Sequence, residues 1–289
     1  MLCGKRVKRI NRGYMNEREN EKLNSYVKRS VDCGVKPIEM LFEPLLDCDF
    51  GEAVAYRSYA KINSVITGVL MPEDYLNANI SGQVLTDISL RLLKKAVASA
   101  VLFNENRVKY SFLTIKCPSS LVFESDLYSK LKSVLNEFSV YEGEKKYNVC
   151  LEFDSSVMQT EGEKLKEFFA DIKAAGLKIA VSGYGGDDFA MEKLLSACPD
   201  VLFTDERVVR LVKNREKFAA IAPVINFAKS LGGIVIAEGV SDDEELREFR
   251  TRECFGFIPS ESYKGRIEPM KSPLTLGEIL ALGESYDGE

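Results

Sequence analysis

From Ile38 onward, the apolar residues of the chain recur in two alternating rhythms. Short apolar runs at Tyr110 to Ile115, Leu177 to Val181, Val201 to Thr204 and Ile234 to Ala237 have the length of buried strands. Between them lie longer stretches with apolar residues three and four apart. Val84, Leu85, Ile88, Leu92, Leu93, Ala96 and Ala100 share one face of a helix expected over Val84 to Phe103. Glu163 to Ala175 reads as a helix stopped by Gly176, because glycine tolerates the left-handed conformation that closes a helix. Phe218 to Leu231 reads as another, closed by Gly232 and Gly233. Leu274, Leu276, Ile279, Leu280 and Leu282 predict a short helix near the C-terminus, and Leu23, Tyr26, Val27 and Val31 a short amphipathic one within 14–35. Alternation of this kind predicts a parallel sheet with helices outside it.

The junction Ile236-Ala237-Glu238-Gly239-Val240 is the most informative spot. A β-branched run ends in a carboxylate and a glycine, and an acidic helix start follows at Ser241 to Glu245. A glutamate is thereby held at the C-terminal end of a strand. In an α/β barrel that end faces the mouth lined by the βα loops, where chemistry resides.

Several segments resemble one family in order and spacing. They are Leu41-Phe42-Glu43-Pro44-Leu45, Met71-Pro72-Glu73-Asp74-Tyr75-Leu76, Cys150-Leu151-Glu152-Phe153, Ala174 to Ala180, Pro199-Asp200-Val201-Leu202 and Ile236 to Val240. Together they resemble the EAL domain, which hydrolyses cyclic di-GMP, from about Glu39 to Pro259. The resemblance implies a TIM-like (β/α) barrel of the EAL type over 37–267. A basic and helical extension over 1–36 precedes it, and a tail helix over 268–289 follows.

A hydrolase of that family is implied to need two divalent metals held by carboxylates and an Asn, which activate a water against the phosphodiester. The positions that match its motifs carry other residues here. The metal-binding Glu of the eponymous motif falls on Arg57, and the phosphate-contacting Arg on Lys61, which keeps charge but loses the planar fork. The metal-binding Asn falls within about one residue of Ile115. Glu152 and Glu238 are retained. The paired aspartates fall on Ser182 and Gly183, and the catalytic Lys on Phe203, with the following Asp kept as Asp205. The Gln of the closing motif falls on Phe255. Two retained glutamates in one barrel mouth repel each other unless a cation sits between them. The guanidinium of Arg57 is therefore expected within hydrogen-bond reach of Glu152, Glu238 or both, with Lys61 or water as the alternative neutralising partner. Tyr56, Tyr59, Phe203 and Phe255 are expected to line or flank the same cleft.

Composition narrows the chemistry. The chain has 289 residues, 45% hydrophobic and 29% charged, and can bury a sizeable core as one domain. A net charge of −5 disfavours nucleic-acid binding by the barrel. The opening segment with Lys5, Arg6, Lys8, Arg9 and Arg12 is instead basic, and reads as a solvated arm, with binding to an acidic partner or a membrane surface as the alternative. With no histidine in the chain, imidazole catalysis, Ser-His-Asp triads and His-based zinc sites are excluded. Seven cysteines without CxxC spacing read as reduced, mostly packed thiols. No apolar segment is long enough to span a bilayer and no signal peptide is evident, so a cytoplasmic location is expected.

Gly185-Gly186-Asp187-Asp188-Phe189 superficially resembles the signature of diguanylate cyclases, but it sits at a strand-to-helix loop without that family's upstream partner. Taken together, the residues and the resemblance predict no catalytic residue, no metal and no cofactor. The expected function is a regulatory, protein-binding role in bacterial signalling. A non-hydrolysing cyclic di-GMP receptor is the alternative, and residual phosphodiesterase activity comes third.

Overall fold

The structure is a computed structural model, and it describes residues 38–64, 68–76, 82–138, 147–186, 191–214, 219, 221–264 and 273–284. The basic arm, the helix expected over 14–35 and residues Asp187 to Phe189 lie outside the described residues. Strands β1 (Ile38–Leu46), β2 (Ala53–Ser64), β4 (Leu113–Lys116), β5 (Val149–Asp154), β6 (Lys178–Tyr184), β7 (Val201–Thr204), β8 (Ile234–Val240) and β9 (Gly256–Pro259) close into a ring. Two short strands stand outside it: β3 (Gly68–Leu70) pairs with β2, and β10 (Leu274–Thr275) pairs with β1.

All neighbours from β2 through β9 run parallel, but β1 runs antiparallel to both β2 and β9. This corrects the expectation of a wholly parallel sheet, and the cause is the length of one connection. Parallel neighbours need a crossover of a dozen or more residues, whereas β1 reaches β2 through a tight turn. In that turn the Asp47 carboxylate accepts hydrogen bonds from the backbone N–H groups of Asp49 and Glu52, at 2.7 and 3.0 Å. Gly51 supplies a φ of +70°.

The parallel strands are buried on both faces, as their continuous apolar runs require. Alternate residues divide between two cores. Leu45, Ala55, Phe112, Cys150, Ala180, Val201, Phe203, Ile236 and Ile258 fill the inside of the ring. Residues of opposite phase, among them Ile115, Leu151, Phe153, Ile179, Val181, Leu202 and Val235, pack outward against the helices. Helix α2 (Gly82–Glu105) lays Leu85, Ile88, Leu92, Ala96 and Phe103 on the ring with the helical spacing that the sequence shows. Helix α4 (Gly162–Ala175) ends at Gly176 in the left-handed region, φ +97°. The tail forms α10 (Leu276–Glu284), whose Ile279 is fully buried. Its start is fixed by Thr275 and Glu278, each side chain accepting the other's backbone N–H.

The ring closes between β1 and β9, where Leu46 faces Phe257. A Cβ placed on Gly256 would stand 2.7 Å from the Leu46 carbonyl oxygen, and backbone at a seam cannot yield cheaply. Gly256→Ala is therefore expected to destabilise the fold by about 1–3 kcal/mol. Gly162→Ala, at the start of α4 where an added Cβ meets nothing within 4 Å, should instead raise stability by up to about 1 kcal/mol. Urea unfolding midpoints of the two variants against the parent chain check both signs.

Candidate functional site

Three strands send charged side chains into the ring at its C-terminal mouth: β2 brings Arg57, β5 brings Glu152 and β8 brings Glu238. Arg57 Nε donates to Glu152 Oε2 at 3.1 Å, while Nη1 and Nη2 donate to Glu238 Oε1 and Oε2 at 2.7 and 2.9 Å. Nη2 also stands 3.0 Å from Glu152 Oε1, out of line for a directed hydrogen bond. The guanidinium thus grips Glu238 with two prongs and Glu152 along its edge, the fork geometry that a lysine cannot reproduce. Its central carbon, Cζ, lies 4.1 Å from the centroid of the Phe203 ring, within range of a cation–π contact. The expected bridge between the two glutamates is the one the structure holds.

Neighbouring hydroxyls complete the shell. Thr114 Oγ1 donates to Glu152 Oε2 at 2.8 Å, and the Glu238 backbone N–H donates to Thr204 Oγ1 at 3.0 Å. Glu238 sits at a bulge in β8, where Gly239 takes a φ of +86°. The Arg57 and Glu152 side chains are 4% and 1% exposed, and that of Glu238 is 25% exposed, so the cation is dry and one acid opens to the mouth. Burial disfavours charge on Arg57, but Glu152 and Glu238 outweigh it and hold the guanidinium above its ordinary pKa. Burial likewise pushes the Glu238 carboxyl up, and the Arg57 charge and hydrogen bonds overcome it, leaving the carboxyl below its ordinary value. Cys117, buried beside this group, has its thiol pushed up by burial and by Glu152, so it offers no thiolate nucleophile.

The remaining predicted positions divide. Lys61 is not a partner of the glutamates; its Nζ donates to Glu39 Oε2 at 3.0 Å across the β1–β2 pair. Ile115 faces the helices, because residues alternate along β4 and its neighbours Thr114 and Lys116 take the inward phase. Ser182 borders the mouth and donates weakly to the Phe153 carbonyl at 3.3 Å, and Gly183 adopts a φ of +81° at a bulge in β6. Asp205 caps the short helix α6 (Glu206–Arg210) and is tied to Arg207, whose side chain holds its carboxyl below the usual range. Phe255 lies below the mouth, just before β9, packed on Phe112 with ring centroids 5.9 Å apart. Tyr56 points outward onto Phe103. Neither aromatic lines the mouth, so that expectation is corrected for both by strand phase and depth. Thr114, Thr204 and Lys116 were missed. The polar phase of Thr114 and Lys116 within an apolar strand was the available signal.

A model of the EAL domain matches residues 30–257. The chain belongs to the EAL domain family. Among curated proteins, an uncharacterized signaling protein of Caulobacter vibrioides is 20% identical over 255 residues, covering 87% of this chain and 30% of that protein. The chain spans about a third of the length of the curated relatives it matches. Among solved structures, the EAL enzyme Bd1971 in its cAMP- and cyclic-di-GMP-bound form gives a TM-score of 0.72 at 17% identity, over 91% of this chain and 69% of that one. The EAL domain of FimX from Pseudomonas aeruginosa, bound to c-di-GMP, gives 0.67 at 11% identity over 81% and 93%. At these identities the likeness establishes the EAL barrel fold.

Removing the guanidinium from this EAL barrel strands two carboxylates, one of them fully buried. Arg57→Ala is expected to cost roughly 3–5 kcal/mol. Arg57→Ala combined with Glu152→Gln should be more stable than Arg57→Ala alone, which urea denaturation of the pair measures. The lowered Glu238 pKa gives a second expectation with a definite sign. Its contribution is fully present above its unfolded value, near 4.5, and is lost as pH falls through the lower folded value. The stability gap between the parent chain and Glu238→Gln should therefore be widest near neutrality and shrink on acidification below about pH 4.5. A gap independent of pH contradicts this account.

Proposed function

We propose that this EAL barrel is catalytically silent and serves as a regulatory module that engages another protein in bacterial signalling. The observation that carries the first half is the bridging of Glu152 and Glu238 by Arg57. The residues present do not fit a pair of hard divalent metals. Such ions need near-octahedral shells of oxygen ligands, and the two glutamates already share a fixed guanidinium. Ser182 and Gly183 supply no carboxylate, Asp205 is held by Arg207, and Phe203 offers no proton-transfer group. Among the described residues, no group of three or more His, Cys, Asp or Glu side chains is arranged to hold a metal ion.

The regulatory half rests on the make-up of a relative. The Caulobacter relative is a signaling protein about three times the matched length, so a barrel of this kind there accompanies other segments. No described helix is long and apolar enough to cross a membrane, in keeping with action in the cytoplasm. The second reading, a cyclic di-GMP receptor without hydrolysis, is favoured by the likeness to EAL barrels solved with that ligand. The loss of the arginine fork at Lys61, now tied to Glu39, stands against it.

Incubation of the purified chain with cyclic di-GMP and Mg²⁺ or Mn²⁺ is expected to yield no linear dinucleotide above the blank. Arg57→Glu alone should not restore turnover, since Ser182, Gly183 and Phe203 remain. Turnover by the parent chain overturns the silent-barrel reading. Calorimetric titration with cyclic di-GMP, with and without Mg²⁺, separates the receptor from the protein-binding module: metal-independent binding selects the receptor.

A further inference from the structure

Among the described residues, β1 and β9 meet in register at Leu46 and Phe257 alone, whereas every other pair of neighbours in the ring shares a run of residues. The seam is therefore where the ring parts most cheaply. Two cysteines flank it, Cys48 just past the end of β1 and Cys254 just before β9, and both are buried as free thiols. Three contacts draw their backbones together. Gly256 packs on the Leu46 carbonyl with no room for a Cβ. Asp49 holds Arg250 of helix α8 (Asp243–Thr251), with Oδ1 2.6 Å from Nε. The Cys254 backbone N–H donates to the Phe249 carbonyl at 3.1 Å, which folds Cys254 back onto the end of that helix. Both side chains enter the apolar layer outside the ring, and a charge on Cys48 is felt at Cys254.

Burial pushes each thiol up to about 12, so both stay protonated while the seam is closed. Their charged neighbours differ. Asp47 and Asp49 add to burial at Cys48, whereas Lys229 and Arg252 oppose it at Cys254. Cys254 is thus the sulfur better placed to ionise when the seam opens. We infer that Cys48 and Cys254 form a disulfide that locks the ring seam when a hydroperoxide oxidises the chain. The Cys254 thiolate attacks one peroxide oxygen and becomes a sulfenic acid, and the other oxygen takes a proton and leaves as water or an alcohol. The Cys48 thiolate then attacks the Cys254 sulfur, and the displaced hydroxide takes up a proton as water. Two thiols lose two electrons to the O–O bond, and one hydroperoxide is consumed for each disulfide. The tie closes a long loop across the weakest join of the ring, where a cross-link restrains the unfolded chain most. The inference goes beyond the regulatory reading and does not rest on it.

The full chain with Cys3→Ser, Cys33→Ser and Cys198→Ser tests it, because these changes remove the exposed thiol and the two outside the described residues. After hydrogen peroxide, alkylation and digestion without reductant, mass spectrometry should find one peptide pair joining Cys48 to Cys254 that dithiothreitol separates. The oxidised chain should unfold in urea about tenfold or more slowly than the reduced one, and dithiothreitol should restore the faster rate. Cys48→Ala in the same background should leave a sulfenic acid on Cys254 that dimedone captures, with no slowing of unfolding. Cys48→Val, which leaves less of a cavity, gives the same readout if the alanine variant fails to fold. No linked pair after peroxide, a link that forms only in denaturing urea, or a linked chain that unfolds as fast as the reduced one overturns the lock. None of these readouts involves cyclic di-GMP or a protein partner, so this inference and the regulatory reading fail separately.

Discussion

One guanidinium held between two carboxylates organises the mouth of this barrel. Arg57, Glu152 and Glu238 come from β2, β5 and β8, strands that are not neighbours in the ring, so the contacts span the interior. Backbone ladders fix each strand against the next, but only side chains can tie one side of the ring to another. Most of the interior does this through apolar packing, which has no direction. The Arg57 contacts are directional, because the fork fixes both the plane and the distance of its two acceptors.

Placing these charges in a dry interior is costly, and the surrounding residues show how the cost is contained. One positive charge faces two negative ones, so the group alone carries a net negative charge. Lys116 supplies a longer-range field that favours the ionised form of Glu238, and Thr114 adds a neutral donor to Glu152. Glu238, the acid with the greater share of water, also receives the two-pronged grip. Such a network often contributes less to stability than an apolar replacement would, but removal of any one member leaves an uncompensated charge. The three residues are therefore coupled, and substitutions among them are not additive.

The sequence made much of this legible. Alternating strands and helices, Gly176 as a helix stop and Glu238 at a strand end are local signals, and each is where local physics puts it. The Arg57 bridge was legible because two glutamates in one mouth demand a cation and the matching position supplied one. Phe255 and Tyr56 were misplaced for one shared reason, while the position given to within one residue of Ile115 spans the inward-facing Thr114. Which residue of a strand faces inward, and how deep it lies, depends on phase and register, and a one-residue slip exchanges the two faces. The antiparallel β1 was hidden because its direction follows from a short turn rather than from its own residues. Thr114 was signalled only by its polar phase in an apolar strand, and Thr204, whose hydroxyl accepts from the Glu238 backbone N–H, carries no such mark.

The identity of residue 203 follows from the identity of residue 57. A metal ion asks for ligands on all sides, and a phenyl ring beside it would remove one. A guanidinium asks for acceptors only at its edge, where Glu152 and Glu238 stand, and its weakly hydrated face is best covered by something flat and apolar. Phe203 is fully buried and provides that surface 4.1 Å away. The aromatic residue is therefore more than volume filled after a polar group was lost. It belongs to the same electrostatic solution as the arginine, and the pair accounts for how this EAL barrel holds two facing glutamates without an oxygen-ligated ion between them.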